Sequence, residues 1–425
     1  MKKGTTTLVR KINKYIVLQY IFEKGPLRQE DIIKKTRLSR PTITEIVREL
    51  LEENILKKAG RGESSGGREP VLLDINETSL FAVGVDFEYP KINIGIINLK
   101  REAILESSHI FPEQSCPNDI LTEVISQIDM LIEKFPFDRS LIIGIGIGLP
   151  GIIDNVNGVS KRIERIAGWE NIPIKDIFEK RFGIPVYIQN DVHLLATLEI
   201  ESRCDIPDDF IFVSIRSGIG MAVVMNGEVY HGFRGNAGFL GHMTIDINGD
   251  KCVCGQKGCL EMYAGQLSQK RRFAERTSIN SKEMKEIENV YDFLYRQTLD
   301  NNIYADELLT DACVHLAYGI ANVIKIIEIP TIVLEGVLPF IVEEKYAALF
   351  KHTLKKLLFE NMNENILILQ SKSENKMIIN SCGNMIFKQY IKKNYYHWTD
   401  ESRIKFATKS KRRLKNKKFL LISES

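Results

Sequence analysis

A chain of 425 residues with seven cysteines, four of them scattered singly (Cys116, Cys204, Cys313 and Cys382), has room for two or three domains and does not look like a secreted disulfide framework. No apolar run reaches the length that spans a bilayer and no apolar stretch follows the basic N-terminus, so a cytoplasmic protein without a membrane partner is expected. The net charge of +3 is unevenly spread: a balance of +7 over residues 1–70 and nine cations without an acid over 403–418 leave −13 for the remainder, so a nucleic acid would meet the ends.

Residues 8–22 place Leu8, Ile12, Ile16, Leu18 and Phe22 at roughly helical spacing, and Gly25-Pro26 ends that helix. A second, short helix fits RQEDIIKKT, with Ile32 and Ile33 facing inward. In LSRPTITEIVRELLEENIL, Ser39 is a good N-cap, Pro41 suits a first turn, and Ile43, Ile46, Val47, Leu50 and Leu51 recur at helical spacing. The opposite face offers Arg40, Thr42, Thr44, Glu45 and Arg48. Next, ILKKAGRGESSGGREPVLLDI reads as two β segments around a Gly/Ser-rich tip carrying Arg61 and Arg68. Helix order, hairpin and charge together favour a winged helix-turn-helix over residues 1–75 above a plain three-helix docking domain with a flexible linker. The candidate contacts to double-stranded operator DNA are Arg40, Pro41, Thr42, Thr44 and Arg48 on the third helix, with Arg61 and Arg68 on the wing.

From Leu80 the pattern changes to short Ile/Val-rich runs punctuated by glycine, among them FAVGVDF, INIGIINL, LIIGIGIGLPG, PVYIQND and TIVLEG, separated by helical stretches. Buried strands alternating with helices predict an α/β fold, and their grouping predicts two lobes with a cleft between them. Asn190 and Asp191 stand where the strand PVYI ends, a common place for ligand-binding side chains, although an Asn-Asp pair there also caps a following helix. Gly218 and Gly220 could admit a phosphate to the backbone, but an isolated G-x-G serves tight strand turns as readily.

Cys252, Cys254 and Cys259 lie on a loop bent by Gly255 and Gly258, ten residues and more after His242. Three thiolates and one imidazole suit tetrahedral zinc, and a full set of four protein ligands leaves no position for an activated water, so one structural zinc per chain is expected. A redox pair is the competing reading, but the spacing is C-x-C rather than C-x-x-C.

Together, GIGIGLPGIID, IPVYIQNDVHLLATLE, GNAGFLGHM and CVCGQKGCLEMYAG resemble, in order, the segments of the ROK family of repressors and sugar kinases, and with the N-terminal helices the resemblance covers about residues 10 to 390. It implies a two-lobed actin-like, ribonuclease-H-like sugar-kinase fold over residues 80–395, with a zinc loop at 242–261 and a basic tail at 396–425. It also implies that Asn190, Asp191, His242 and Glu261 bind sugar hydroxyls, Asp191 standing where the family's kinases have their general base. Within the family the chain is most similar to the xylose repressors of Gram-positive bacteria. The tail is either a basic arm adding nonspecific DNA affinity or merely a solvated end.

Three departures from the kinase pattern matter. The family's Asp-x-Gly-Gly-Thr phosphate loop reads DFEYPK here, Asp86 to Lys91, placing Glu88 and Tyr89 where glycines would bring amides to a phosphate. A second Gly-Gly reads Glu335-Gly336, and Ala-Gly-Glu reads Ala237-Gly238-Phe239, which removes one sugar contact. Phosphoryl transfer depends on positioning and charge stabilisation, so no enzyme activity is expected. The expected function is a sugar-responsive repressor of xylose-utilisation genes, acting as a homodimer or dimer of dimers; the alternative is an ATP-dependent sugar kinase carrying a DNA-binding domain.

Overall fold

Buried Ile43, Ile46, Val47 and Leu50 share one face of the third helix, and this stripe organises the N-terminal residues into a packed unit. The computed structural model describes residues 4–395 apart from 62–70, 89, 113, 204, 278, 280, 288, 338–339, 341–342 and 373–376. The chain divides into two compact units, residues 80–386 and the remainder.

In the smaller unit the order is α1 (Gly4–Lys24), β1 (Leu27–Arg28), α2 (Gln29–Thr36), α3 (Arg40–Glu52), β2 (Leu56–Arg61) and β3 (Val71–Ile75). The strands form an antiparallel sheet in the order β1-β3-β2. The pairing of β1 is a feature the sequence pattern did not announce. Lys14 on α1 donates to Glu49 (3.0 Å) and Glu53 (2.6 Å), and Arg10 to Glu45 (2.8 Å), which pins α1 along α3. Glu45 thus serves α1 rather than the free face of α3. Residues 387–395 also group with this unit, where Phe387 meets Phe22 edge-on and the Tyr395 hydroxyl donates to Glu53 at 2.9 Å.

Ser39 caps α3 by accepting from the Thr42 amide at 3.4 Å. Ser39→Ala should lower the local stability of α3 by about 1 kcal/mol. Faster hydrogen exchange of the first-turn amides would report it, and unchanged exchange would assign the start of the helix to packing alone.

The larger unit is built on a repeated plan. Three antiparallel strands, β4 (Phe81–Glu88), β5 (Lys91–Asn98) and β6 (Ala103–Ile110), are followed by α4 (Pro117–Glu133) and β7 (Ile142–Leu149). A small sheet of β8 (Ile152–Asp154), β9 (Val159–Arg162) and β10 (Glu170–Ile172) precedes α5 (Ile174–Phe182), β11 (Val186–Asn190) and α6 (Asp191–Ser202). The second half runs β12 (Phe210–Ile215), β13 (Ile219–Met225), β14 (Glu228–Tyr230), α7 (Glu261–Ala264), α8 (Gln266–Arg276), α9 (Ser281–Glu286), α10 (Val290–Leu299) and α11 (Ile303–Ile327). It closes with β15 (Thr331–Glu335), α12 (Glu344–Leu357), α13 (Glu360–Asn363), β16 (Leu367–Gln370) and α14 (Met377–Tyr395).

The sheets are ordered β6-β5-β4-β7-β11 and β14-β13-β12-β15-β16. Each is an antiparallel meander whose first strand is flanked by two parallel crossover strands, so the halves share one topology and form the two expected lobes. The first lobe has its own core around Phe81, Ile145, Trp169 and Phe178, and the second lobe around Leu240, Leu260, Leu316 and Phe350. Helix α11 is long and apolar enough to cross a membrane, and its buried face is the spine of the second core. Strand glycines have a packing reason here: a Cβ on Gly84 or Gly146 would lie 2.1 Å from the Ile379 carbonyl or 2.2 Å from that of Cys382, so α14 rests directly on the first sheet.

Candidate functional site

A cleft opens where the ends of β11 and β12 face one another, lined by Asn190, Asp191, Arg165, Arg216, His242 and Glu261 among others. Asn190 ends β11 and caps α6, its Oδ1 accepting from the amides of Val192 (3.1 Å) and His193 (3.2 Å). The capping alternative therefore holds for this oxygen, and only Nδ2 remains for a ligand among the described residues. Asp191 opens α6, with Oδ1 accepting from the Val192 amide at 3.0 Å. Burial pushes its carboxyl up to about 7, against the opposing pull of Arg216, with Asp86 and Glu88 adding to the rise.

Arg216, in the turn between β12 and β13, is one of the residues lining the cleft. Its guanidinium is buried and donates to Asp86 at 3.0 Å and to Glu88, and it lies 3.6 Å from Asp191. Glu335, held by the Ser214 hydroxyl, adds a fourth carboxylate to its field. One cation faces four carboxylates, Asp86 buried and the other three half-buried, and desolvation raises the Glu88 and Glu335 carboxyls. Glu88 and Glu335 stand where the kinase pattern has glycines; Glu88 pairs with Arg216, an arginine that pattern reading did not single out, and Glu335 adds its charge to the field of that arginine from its bond to Ser214.

A second ion pair joins the lobes. Arg165 sits between Ile163 and Ile166 of the first core and donates to Glu261 (2.6 Å) and to the Ser217 carbonyl (2.9 Å). The other Glu261 oxygen accepts from the Ile219 amide at 3.1 Å. The loop after β14 supplies a further wall: Asn236 exchanges two hydrogen bonds of 2.8 Å with the Ile153 backbone, and Phe239 presents its ring 41% exposed. Buried His193, its imidazole pushed down to about 4, holds this loop through the Ala237 carbonyl at 2.9 Å.

His242, Cys252, Cys254 and Cys259 converge behind this wall. Their ligand atoms all lie within 4.8 Å of one another, a group that can hold a metal ion. Cys252 Sγ is 3.7 Å from His242 Nδ1, and Cys254 and Cys259 sulfurs are 3.6 Å apart. Gly258 permits the fold of the loop: its φ is +65°, and a Cβ would overlap the Asp246 carbonyl. Leu260, buried against Gly319 of α11, anchors the loop, and Glu261 follows at the start of α7.

In the smaller unit, Arg40, Pro41, Thr44 and Arg48 lie exposed on α3, and Thr42 is half-buried. Arg40 pairs with Glu30 at 3.1 Å and Arg48 with Glu52 at 3.0 Å, loose surface pairs in which the Arg40 and Arg48 side chains stay 70% and 63% exposed. Thr44 accepts from Gln29 at 2.6 Å. Arg61 ends β2; its side chain, Arg68 and the tail 396–425 lie outside the described residues.

Residues 82–381 match the ROK family. The chain belongs to the ROK family. The xylose repressor of Bacillus subtilis strain 168 is 31% identical over 320 residues, 75% of this chain and 80% of that one. A ROK family transcriptional regulator, a homologue of the E. coli MLC protein, shares the fold with a TM-score of 0.72 at 23% identity, over 90% of this chain and 96% of its own. A ROK family glucokinase from Streptomyces griseus, in complex with glucose and AMPPNP, aligns with a TM-score of 0.61 at 19% identity over 72% of this chain and 99% of its own.

Within this ROK chain, the residues sequence reasoning missed are Arg216, Arg165 and Asn236. The signal for Arg216 was present in FIFVSIRSG: a lone cation directly after a fully buried strand needs partners. No local pattern signals Arg165 or Asn236, because their partners lie 96 and 83 residues away.

Proposed function

We propose that this ROK protein is a sugar-responsive transcriptional repressor that binds double-stranded operator DNA through a winged helix-turn-helix and takes a free sugar, xylose or a close relative, in its cleft. The observation that carries the reading is the match to a named xylose repressor over three quarters of the chain, N-terminal helices and cleft both being present. In this reading Arg40, Pro41, Thr42, Thr44 and Arg48 of α3 meet the major groove, with Arg61 and Arg68 on the wing, and a homodimer or dimer of dimers reads a palindrome. The kinase alternative is disfavoured because Glu88, paired with Arg216, and Glu335, bonded to Ser214, put carboxylates where a nucleotide would need amides and cations. A cytoplasmic location follows from the repressor role.

Asn190 through Nδ2, Asp191, His242 and Glu261 would receive the sugar hydroxyls. The metal would be one structural zinc per chain held by His242, Cys252, Cys254 and Cys259: tetrahedral bonds of about 2.3 Å to sulfur separate two thiolates by about 3.8 Å, close to the spacing found. Zinc supplies no chemistry to the sugar in this role; its ligands fix the loop that carries Glu261. Sugar acts by preferring one arrangement of the lobes, without which it would shift nothing.

Arg48→Ala should weaken binding to specific and nonspecific DNA alike and lower the slope of log affinity against log salt by about 1. An unchanged slope would remove Arg48 from the phosphate contacts. Coupled turnover of ATP with a panel of pentoses and hexoses tests the alternative, and sustained turnover would overturn the repressor-only reading.

A further inference from the structure

Asp191 and Arg216 line the cleft and belong to an ion cluster that continues behind it. Asp86 and Glu88 come from β4 of the first lobe, Asp191 from the start of α6, and Arg216 and Glu335 from the ends of β12 and β15 in the second lobe. The guanidinium therefore grips Asp86 of the first sheet through both terminal nitrogens, and its Nη1 stands 3.6 Å from the Oδ2 of Asp191, a cleft carboxylate whose other oxygen is fixed by the Val192 amide. The fork is not used up: Arg216 Nε is buried without a hydrogen-bond partner among the described residues, an N–H that a cleft ligand or solvent would complete.

We infer that Arg216 is a positioning residue for the sugar cleft, holding Asp191 in a single orientation against Asp86 and Glu88 and tying the two lobes together at the point where the ligand engages. The inference rests on the proposed role of Asp191 as a sugar ligand. It assigns to one side chain two tasks that its planar, always charged fork suits: bidentate grip on carboxylates and indifference to pH. A lysine would supply the charge without the fork.

The neighbours of Asp191 act on it with opposite signs. Arg216 favours its ionised form, whereas burial and the charges of Asp86 and Glu88 oppose it. Sugar binding through an ionised Asp191 should weaken as pH falls, and the midpoint of that loss should move up in Arg216→Gln and down in Asp86→Asn. A purely structural role for Arg216 would not produce shifts of opposite sign.

The test is calorimetric titration of xylose and of glucose into the complete chain from pH 5.5 to 8.5, on wild type, Arg216→Gln, Arg216→Lys and Asp86→Asn, with circular dichroism as the folding control. We expect Arg216→Gln to weaken binding at pH 8 at least tenfold, Arg216→Lys to restore part of it, and the midpoints to separate in the stated directions. If Arg216→Gln fails to fold, the downward shift in Asp86→Asn carries the test. Superimposable pH profiles in a wild type and variants that all bind sugar would overturn the inference alone. A wild type that binds neither sugar at any pH would overturn the sugar reading and the inference with it.

Discussion

Cys259→Ser should reduce bound zinc from one ion per chain to near none and weaken sugar binding at least tenfold, while operator binding without sugar persists. Cys259 is fully buried, its thiol pushed up by that burial, and two residues later the chain reaches Glu261. A metal ion would hold the sulfur as thiolate and fix the loop between His242 and Leu260. Without it, the two remaining uncharged thiols and the serine hydroxyl have weak mutual contacts, and Glu261 loses the anchor that presents it between Arg165 and the Ile219 amide. The elements proposed to bind the operator belong to the other compact unit and contain none of these ligands. Metal analysis by mass spectrometry with sugar calorimetry decides the matter; a metal-free variant that binds sugar as wild type does would show that the loop holds its form by packing alone.

Asp191→Asn should lower sugar affinity about tenfold to a hundredfold at pH 8, the usual loss when a charged hydrogen-bond acceptor is made neutral. The same substitution should raise thermal stability at pH 8. A carboxyl whose folded value is raised from 3.8 to about 7 makes the native state bind more protons than the unfolded chain between those values, so its stability contribution, full below the lower value, is lost as pH rises through the upper one. Asparagine removes that loss, so the gain in melting temperature should be present at pH 8 and vanish near pH 4. A variant that is destabilised equally at both pH values would contradict a proton held by burial and the charges of Asp86 and Glu88 against the pull of Arg216.

Local features were legible in the sequence where the physics is local. The stripe of Ile43, Ile46, Val47 and Leu50, the cap at Ser39 and the spacing of Cys252, Cys254 and Cys259 each act within a few turns of chain. The Asn190-Asp191 pair lies at a strand end, as its position after PVYI indicated. What stayed hidden is set by chain segments far apart: the common strand order of the two sheets, the pairing of β1 with β3, and the guanidinium of Arg216 among acids 128 and 130 residues earlier. Glu88 and Glu335 were legible as departures from a glycine pattern, but only the fold brings both charges to one arginine, Glu88 by direct pairing. The glycines that punctuate FAVGVDF and LIIGIGIGLPG gain their packing reason at Gly84 and Gly146 only from α14, which comes from the far end of the chain.

The central claim, a cleft whose ligand governs DNA binding, is tested most directly by electrophoretic mobility shift of the purified chain on DNA from upstream of its own and neighbouring genes, titrated with xylose, glucose and their phosphates. The account predicts a specific complex that a free sugar, xylose or a close relative, releases or strengthens at concentrations that leave a competitor sugar without effect. A specific complex that no sugar alters, or no specific complex at any sugar concentration, would contradict it.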